Sequence, residues 1–470
     1  MASNPAVVSY FANAQGGTFV NPNFSNVGGD QINVYSNPHW VLQVLWHAIA
    51  DVGASHDSAA RYPLIGCHPS TREEILEMLL NWNRKPRGLP FYWLYGPAGH
   101  GKSTIAQTLS ELCAKDSTLV SSFFFLRNDE KRNKPTHLFL TIAYGLASSI
   151  PQLREIIGEV IQANPAVLRS SFCTQFRELV VNPCRSVAVS WESSWPRLVI
   201  IDGLDECQCK DIQEHILSIL SSSYDETESL PLRFIICSRP EPTIREAFDS
   251  TILHSRSQRA ALSNSWRERQ DIARYLTDRF NTIRQRSRYS VIKFPDSWPP
   301  IGAIYQLADQ SDGQFVYASI AVAFVDSEFH DPCRRLEILL RFTPGLDDES
   351  PFGLLDVLYH NILAANPNTK RLILILGFIL HPPIYQVTNP RFIEILLGLP
   401  EGQVNLELCA MHSILNIRDS AIDILHTSFS DFLHDKSRSG DFYIDSTHFQ
   451  PLTVSRALQH LNRYLQDLSG

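Results

Sequence analysis

The sequence predicts an α/β chain: a P-loop NTPase parallel sheet with helices on both faces, followed by an all-α helical module and a winged-helix-like module. Three observations predict it. Gly96, Gly101, Lys102 and Ser103 fit the phosphate-loop pattern G-x-x-x-x-G-K-[ST] without a gap. Leu198-Val199-Ile200-Ile201-Asp202 is an apolar run ending in an acid, the pattern of a buried parallel strand whose carboxyl end meets a ligand crevice. From Trp266 onward, apolar residues recur mainly at helical spacing.

The bulk figures agree. A chain of 470 residues holds two to four packed units, because single cores rarely grow beyond ~250–300 residues. With 44% hydrophobic and 19% charged residues it is ordinary globular material, and the net charge of -8 gives no basic face for nucleic acid. The local exception is a basic cluster from Arg279 to Arg288. Nine scattered cysteines show no metal-like pairing, and Cys207-Gln208-Cys209 is poorly spaced for a shared zinc, so reduced thiols are expected. The start lacks the basic and apolar regions of a signal peptide. The longest apolar runs, Leu372 to Leu380 and Phe315 to Val325, are too short to span a bilayer. The expectation is a cytoplasmic protein with no membrane span and no nucleic-acid partner.

Residues 1–38 are rich in Asn, Gly and Ser, and Gly16 to Asn21 is loosely echoed by Gly28 to Asn33. They read as a flexible polar tail; the alternative is a small self-templating segment of two β-prone pieces. Residues 39–65 form a helical lead-in, His39 to Val52, and a linker. The NTPase domain spans 66–262 and opens with a helix from Thr71 to Trp82, for which Ser70 and Glu73 suggest a capping box. Phe91 to Tyr95 is the first strand. The loop from Gly96 through Pro97, Ala98, Gly99, His100 and Gly101 to Lys102, Ser103 and Thr104 then enters a helix. Glycines let successive N–H groups turn inward toward a polyphosphate, and the helix N-terminus adds its dipole. Lys102 is placed to reach the β- and γ-phosphates and Ser103 to ligate Mg²⁺.

Leu119 to Leu126 is the second strand, helices follow on either side of Pro151, and Phe172 to Val181 is another helix. Asp202 ends the third strand, where it can hold Mg²⁺ with Ser103. Asp205 and Glu206 sit just beyond, positioned to orient or deprotonate a water. Leu232 to Cys237 is the fourth strand. Arg239 at its end is a candidate γ-phosphate sensor, against the plainer reading of a turn made by Pro240 and Pro242. Thr251 to His254 is expected as the fifth strand. A helical domain over 263–345 and a winged-helix-like and C-terminal helical region over 346–470 complete the chain. These include a linker from Pro344 to Ser350, a helix over Ala421 to Asp435, strand-like patches from Ile417 to Leu425, a last strand at Phe442 to Ile444 and a closing helix from Leu452 to Leu465.

The loop at Gly96 to Thr104, the run Ile201-Asp202-Gly203-Leu204-Asp205-Glu206 and Cys237-Ser238-Arg239-Pro240 resemble the NACHT NTPases of fungi. These are signal-transducing ATPases with numerous domains (STAND), the class that includes NOD-like receptors, and the nucleotide module is similar to the nephrocystin-3-like one. The resemblance implies ATP or ADP, with GTP as an alternative, and Mg²⁺. It implies a closed ADP state and an ATP state that forms a homo-oligomer and engages a downstream signalling partner in non-self recognition or cell death. It also places Thr71 and Arg72 near the base, with Gly313 to Phe315 in the region where the helical module approaches it. It makes His426 the winged-helix histidine that contacts the ADP β-phosphate, the alternative being a histidine satisfied by packing. The departure is at the C-terminus, where no repeat of 20–50 residues is found. The expected function is a slow, nucleotide-switched signalling NTPase. A non-hydrolysing nucleotide-stabilised scaffold is the alternative, and a small-molecule kinase is the less favoured one.

Overall fold

The computed structural model describes residues 39–469 except 86–87, 128, 193–194, 225–229, 263–265, 287–288, 290–291, 328–329, 342–352, 384–387 and 419. The polar tail over 1–38, the linker at Pro344 to Ser350, and Ser287 and Arg288 of the basic cluster therefore lie outside the described residues. The lead-in helix α1 (Trp40–Ile49) and helix α2 (Glu73–Arg84) precede a five-stranded sheet. Its strands are β1 (Phe91–Tyr95), β2 (Leu119–Phe124), β3 (Leu198–Asp202), β4 (Arg233–Ser238) and β5 (Ser257–Ala261). Every pairing is parallel, in the order β2-β3-β4-β1-β5. Parallel strands need crossovers and so bury both faces, which is why β1, β3 and β4 read as near-continuous apolar runs.

One face packs against helix α3 (Lys102–Lys115), whose Ile105, Ala106, Leu109 and Cys113 join Leu94, Phe124, Ile200 and Ile235 in one core. The other face is largely aromatic. Phe91 stacks on Phe234, Trp93 on Phe248, and Phe176 meets both Phe139 and Phe234. Helix α4 (Leu138–Ser149) covers β2 there, and Gly145 lets it come close: a Cβ at that position would lie 2.2 Å from the Val120 carbonyl oxygen.

Beyond the sheet come Trp266–Gln285, Ile301–Gln310, Phe315–Val325 and Pro332–Leu340, then Gly353–Ala364, Thr369–Leu380, Pro390–Leu397 and Gln403–Leu408. The hairpin β6 (Leu415–Ile417) and β7 (Ile422–Ile424) is the wing, followed by Thr427–His434 and the closing helix Ser446–Ser469. A single apolar core runs through all of them, from Ile272 to Ala457.

Four expectations are corrected. Thr251 to His254 lies in the helix Thr251–Arg256, and the fifth strand is the more polar Ser257–Ala261. At the sheet edge a strand pairs on one side only and need not be apolar. The helix expected at Thr71 starts at Glu73, capped by Arg72 in a left-handed conformation (φ 60°) with no side-chain cap bond, so Ser70 (φ 58°) and Glu73 form no capping box. The helix expected over Ala421 to Asp435 is a strand and then a helix, because Ile422-Asp423-Ile424 alternates as a half-buried strand does. Phe442 to Ile444 is no strand: Phe442 ends a short 3-10 turn, and the Ile444 N–H donates to the Leu433 carbonyl (2.8 Å) rather than to a ladder.

Because the nearest atoms to a Gly145 Cβ belong to strand backbone that cannot swing aside, Gly145→Ala is expected to destabilise the fold by about 1–3 kcal/mol. A lowered urea midpoint at unchanged slope checks this; an unchanged midpoint contradicts the close approach.

Candidate functional site

The carboxyl ends of β3, β4 and β1 lie side by side in the sheet. The loop after β1 turns at two left-handed glycines, Gly99 (φ 79°) and Gly101 (φ 83°), and Gly101 caps the N-terminus of α3. Gly96 allows a second close approach, since a Cβ there would meet the Leu262 carbonyl oxygen at 2.9 Å. Ala98 and His100 are buried, and burial, opposed by the Ala98 carbonyl, holds the His100 imidazole below the usual range and hence neutral. Thr104 Oγ1 donates to the Gly101 carbonyl (2.7 Å). Lys102 Nζ donates to the carbonyls of Gly96 (2.7 Å) and Pro97 (2.8 Å), so the ammonium lies across the loop it follows. Burial pulls its pKa down, while Asp205 and then Asp202 work to keep the charge.

Two outside residues hold the loop. The Val316 N–H, at the start of the helix Phe315–Val325, donates to the Gly99 carbonyl (3.2 Å). A Cβ on Gly99 would meet Val316 Cγ1 at 2.4 Å. Arg72 donates from Nη2 to the His100 carbonyl (2.8 Å) and pairs through Nη1 with Glu268 (2.6 Å), and its guanidinium lies over the Phe315 ring at 4.8 Å. Its own N–H donates to Asp271 (2.9 Å). Thr71 is buried beside it, donating to the His68 carbonyl (2.6 Å). The helical module therefore touches the phosphate loop through backbone, while Arg72 braces the loop's flank and Thr71 packs next to Arg72.

At the end of β3, Asp202 is 3% exposed, and its Oδ1 is buried without a hydrogen-bond partner. Burial pushes its carboxyl up to about 6, against the Ser103 hydroxyl, Arg61 and Lys102, which favour the anion. A buried oxygen with no protein partner beside a serine hydroxyl is the donor set a hard divalent cation takes, so Ser103 and Asp202 fit Mg²⁺. Asp205 is buried and accepts from the Arg239 N–H (2.9 Å), with Nε of the same arginine at 3.2 Å. Glu206 accepts from the Arg127 N–H (3.1 Å); burial, with Asp205 next to it, pushes its carboxyl up to about 7.

Arg239 extends past the sheet to Asp431 on the helix Thr427–His434, Nη2 to Oδ2 at 2.7 Å, and Arg127 Nη1 reaches the other oxygen of Asp431 at 2.9 Å. Burial opposes the Arg239 charge, yet Asp431, Asp205 and Glu206 hold it more firmly protonated than a free arginine. His426, just before that helix, is driven down to about 4 by burial and meets Ser319 Oγ through Nε2 (3.3 Å). It stands against the helix whose first turn bonds Gly99, and its packing with Ser319 accounts for a neutral ring.

The structure thus gathers Gly96 to Thr104, Asp202, Asp205, Glu206 and Arg239 at one edge. It places Thr71 and Arg72 beside the loop, and His426 on the helical module. Sequence reading missed Asp431, Arg127 and Glu268. Asp431 carries no local signal, because its partners lie far away along the chain.

A family model described as Nephrocystin 3, N-terminal, matches residues 70–239, the stretch from α2 to the end of β4. No curated protein matches. Among solved structures, the chain is similar to a signal transduction ATPase with numerous domains and a tetratricopeptide repeat sensor from Pyrococcus horikoshii. Identity is 11% and the TM-score 0.42, over 84% of this chain and 45% of that one. The chain thus spans about half the length of that relative. It is also similar to the Aeropyrum pernix ORC2 protein in its ADP form (12% identity, TM-score 0.33, 84% of this chain and 96% of that one). A third likeness is to Cdc6p from Pyrobaculum aerophilum (15% identity, TM-score 0.33, 85% and 97%).

A carboxyl whose folded pKa lies above its unfolded value binds more protons in the native state, so stability falls as pH rises from the unfolded to the folded value. For Glu206 that window runs from 4.5 to about 7. In nucleotide-free protein, Glu206→Gln is expected to gain melting temperature relative to wild type as pH rises through this window. A constant difference between the two would contradict the raised carboxyl.

Proposed function

We propose that the chain is a nucleotide-switched signalling NTPase of the NACHT kind within the STAND class. It binds ATP or ADP, with GTP as the alternative base, together with Mg²⁺. It hydrolyses slowly in the cytoplasm and forms a homo-oligomer on activation, in signalling of the innate-immunity or programmed-cell-death type. The helical domain over 263–345 and the region over 346–470 are the parts that move against the NTPase domain over 66–262. The observation that carries the reading is Asp431, a residue of the C-terminal region paired with Arg239 at the strand end where a γ-phosphate would be met.

The roles follow from the geometry. Inward-turned N–H groups of the loop and the α3 N-terminus bind the phosphates, and Lys102 exchanges its loop carbonyls for them. Ser103 and Asp202 would hold Mg²⁺, which would supply charge neutralisation to the polyphosphate. Glu206, with a carboxyl near 7, is suited to take a proton from water at neutral pH. Asp205 orients Arg239 from behind, leaving its outer edge to choose between Asp431 and a γ-phosphate.

The energies suit a switch. The Arg127–Asp431 pair is exposed on the arginine side (45%) and is worth under ~1 kcal/mol. The Arg239–Asp431 pair is mostly enclosed (18% and 19% exposed) and contributes the larger share of a coupling that typically amounts to about 1–3 kcal/mol. Such a contact is strong enough to hold one state and weak enough for a triphosphate to displace.

Lys102→Ala is expected to abolish nucleotide binding, and Glu206→Gln to spare binding and retain the triphosphate. Native mass and nucleotide extraction before and after ATP addition check both. Bound ADP with no phosphate release would select the scaffold reading, and equal hydrolysis by wild type and Glu206→Gln would transfer the base role to Asp205. Asp431→Ala is expected to shift the protein toward the assembled form by roughly 5–150-fold, the range of such coupling energies. Unchanged mass distributions at every ATP concentration would remove Asp431 from the switch.

A further inference from the structure

Between α1 and α2 the chain passes along the outer edge of the sheet and delivers an arginine to the back of the metal side. The Phe124 N–H of β2 donates to the Ala54 carbonyl (2.9 Å), so the segment docks on the sheet's own edge strand. The His56 N–H donates to Ser122 Oγ (2.9 Å). Gln107, one turn past Ser103 on α3, donates to the His56 carbonyl (3.0 Å) and accepts from Arg61 Nη1 (2.7 Å). Arg61 Nη1 also reaches the Ser55 carbonyl (3.3 Å), and the guanidinium lies 3.4 Å over the Phe124 ring. In the parallel register Phe124 is the partner of Asp202. A cation over that ring therefore lies alongside the β3 carboxylate, on the α3 face. Among the charges acting on Asp202, Arg61 ranks ahead of Lys102.

This arrangement is more than a satisfied surface arginine. Arg61 comes from outside the loop–strand core, yet it is held by Gln107 on the helix that bears Ser103 and by the Phe124 ring on the strand beside Asp202. Guanidinium is rigid and planar, so in this seat it stands beside the Asp202 carboxylate as a fixed cation without pairing with it. Outer-shell groups around a metal-ligating carboxylate tune affinity, typically by 10–100-fold.

We propose that Arg61 is a positioning residue for the metal side of the site: it sets the Asp202 carboxylate for Mg²⁺ and so ties the segment Ala54 to Arg61 to Mg²⁺–nucleotide occupancy. The inference rests on the reading that Ser103 and Asp202 hold Mg²⁺ at a nucleotide site. The segment is then a physical link between the site and the chain preceding it.

The test uses the full chain and a fluorescent ATP analogue, titrated with excess Mg²⁺ and again with EDTA. For wild type, Mg²⁺ tightens binding. For Arg61→Ala that Mg²⁺-dependent gain is expected to fall about tenfold or more while the EDTA affinity stays within about twofold. Arg61→Lys, which keeps the charge without the planar fork, is expected to restore part of it. Gln107→Leu, which frees the arginine from its anchor, is expected to act in the same direction as Arg61→Ala and serves if that variant fails to fold. Hydrogen exchange over residues 54–61 is expected to slow with Mg²⁺ and nucleotide in wild type and to stay unchanged in Arg61→Ala. An undiminished or increased Mg²⁺ gain in a folded Arg61→Ala variant overturns the proposal, as does exchange at 54–61 indifferent to Mg²⁺ and nucleotide in wild type. Failure of wild type to bind the analogue in either buffer would instead overturn the nucleotide reading beneath it.

Discussion

Arg239 is held between two carboxylates that belong to different parts of the chain, and most of the functional architecture can be understood from that constraint. Asp205 grips it from the sheet and Asp431 from the helix after the wing. A guanidinium cannot lose its proton in this setting, so its position, and not its charge state, is what varies. Because Asp205 is buried, the inner half of the pair is expensive to break; the outer half is partly exposed and open to competition from another anion. The sheet order serves this arrangement. It places β4 between β3 and β1, so that Arg239 emerges between the acid of one strand and the phosphate loop of the other.

A second coupling acts through backbone. Gly99 accepts a hydrogen bond from Val316, and Gly99 lacks a Cβ where Val316 Cγ1 approaches. The shape of the phosphate loop and the seating of the helix Phe315–Val325 are therefore one geometric problem. His426 presses on the same helix at Ser319, so the C-terminal region reaches the end of β4 directly through Asp431 and the phosphate loop indirectly, through the helix that bonds Gly99. Contacts of modest strength such as these are compatible with the opening proposed above.

The parts legible in the sequence were those whose physics is local. The phosphate loop is contiguous because its N–H groups must be successive, and the β3 acid stands out because a buried strand ends in it. Helical spacing located most helices of the second half, Trp266–Gln285 and Phe315–Val325 among them. What escaped was set by long-range pairing. β5 looks polar because it borders β1 alone, and Thr251 to His254, more strand-like in composition, is helical. Ser70 carries a cap signature, but the turn there is shaped by Arg72, which answers to Glu268, Asp271 and His100. Asp431 and Arg61 gain meaning only when the chain brings them to residues far away in sequence, and no local pattern announces either.

In the proposed switch, the helix carrying Asp431 leaves the end of β4 when a triphosphate takes its place. The most direct measurement is the distance between spin labels on exposed sites beside Thr427–His434 and beside the β4–Pro240 turn, recorded with ADP and with a non-hydrolysable ATP analogue, both with Mg²⁺. The account predicts one short distance with ADP and a distinctly longer population with the analogue. The same short distance in both, with the analogue shown to be bound, would contradict it.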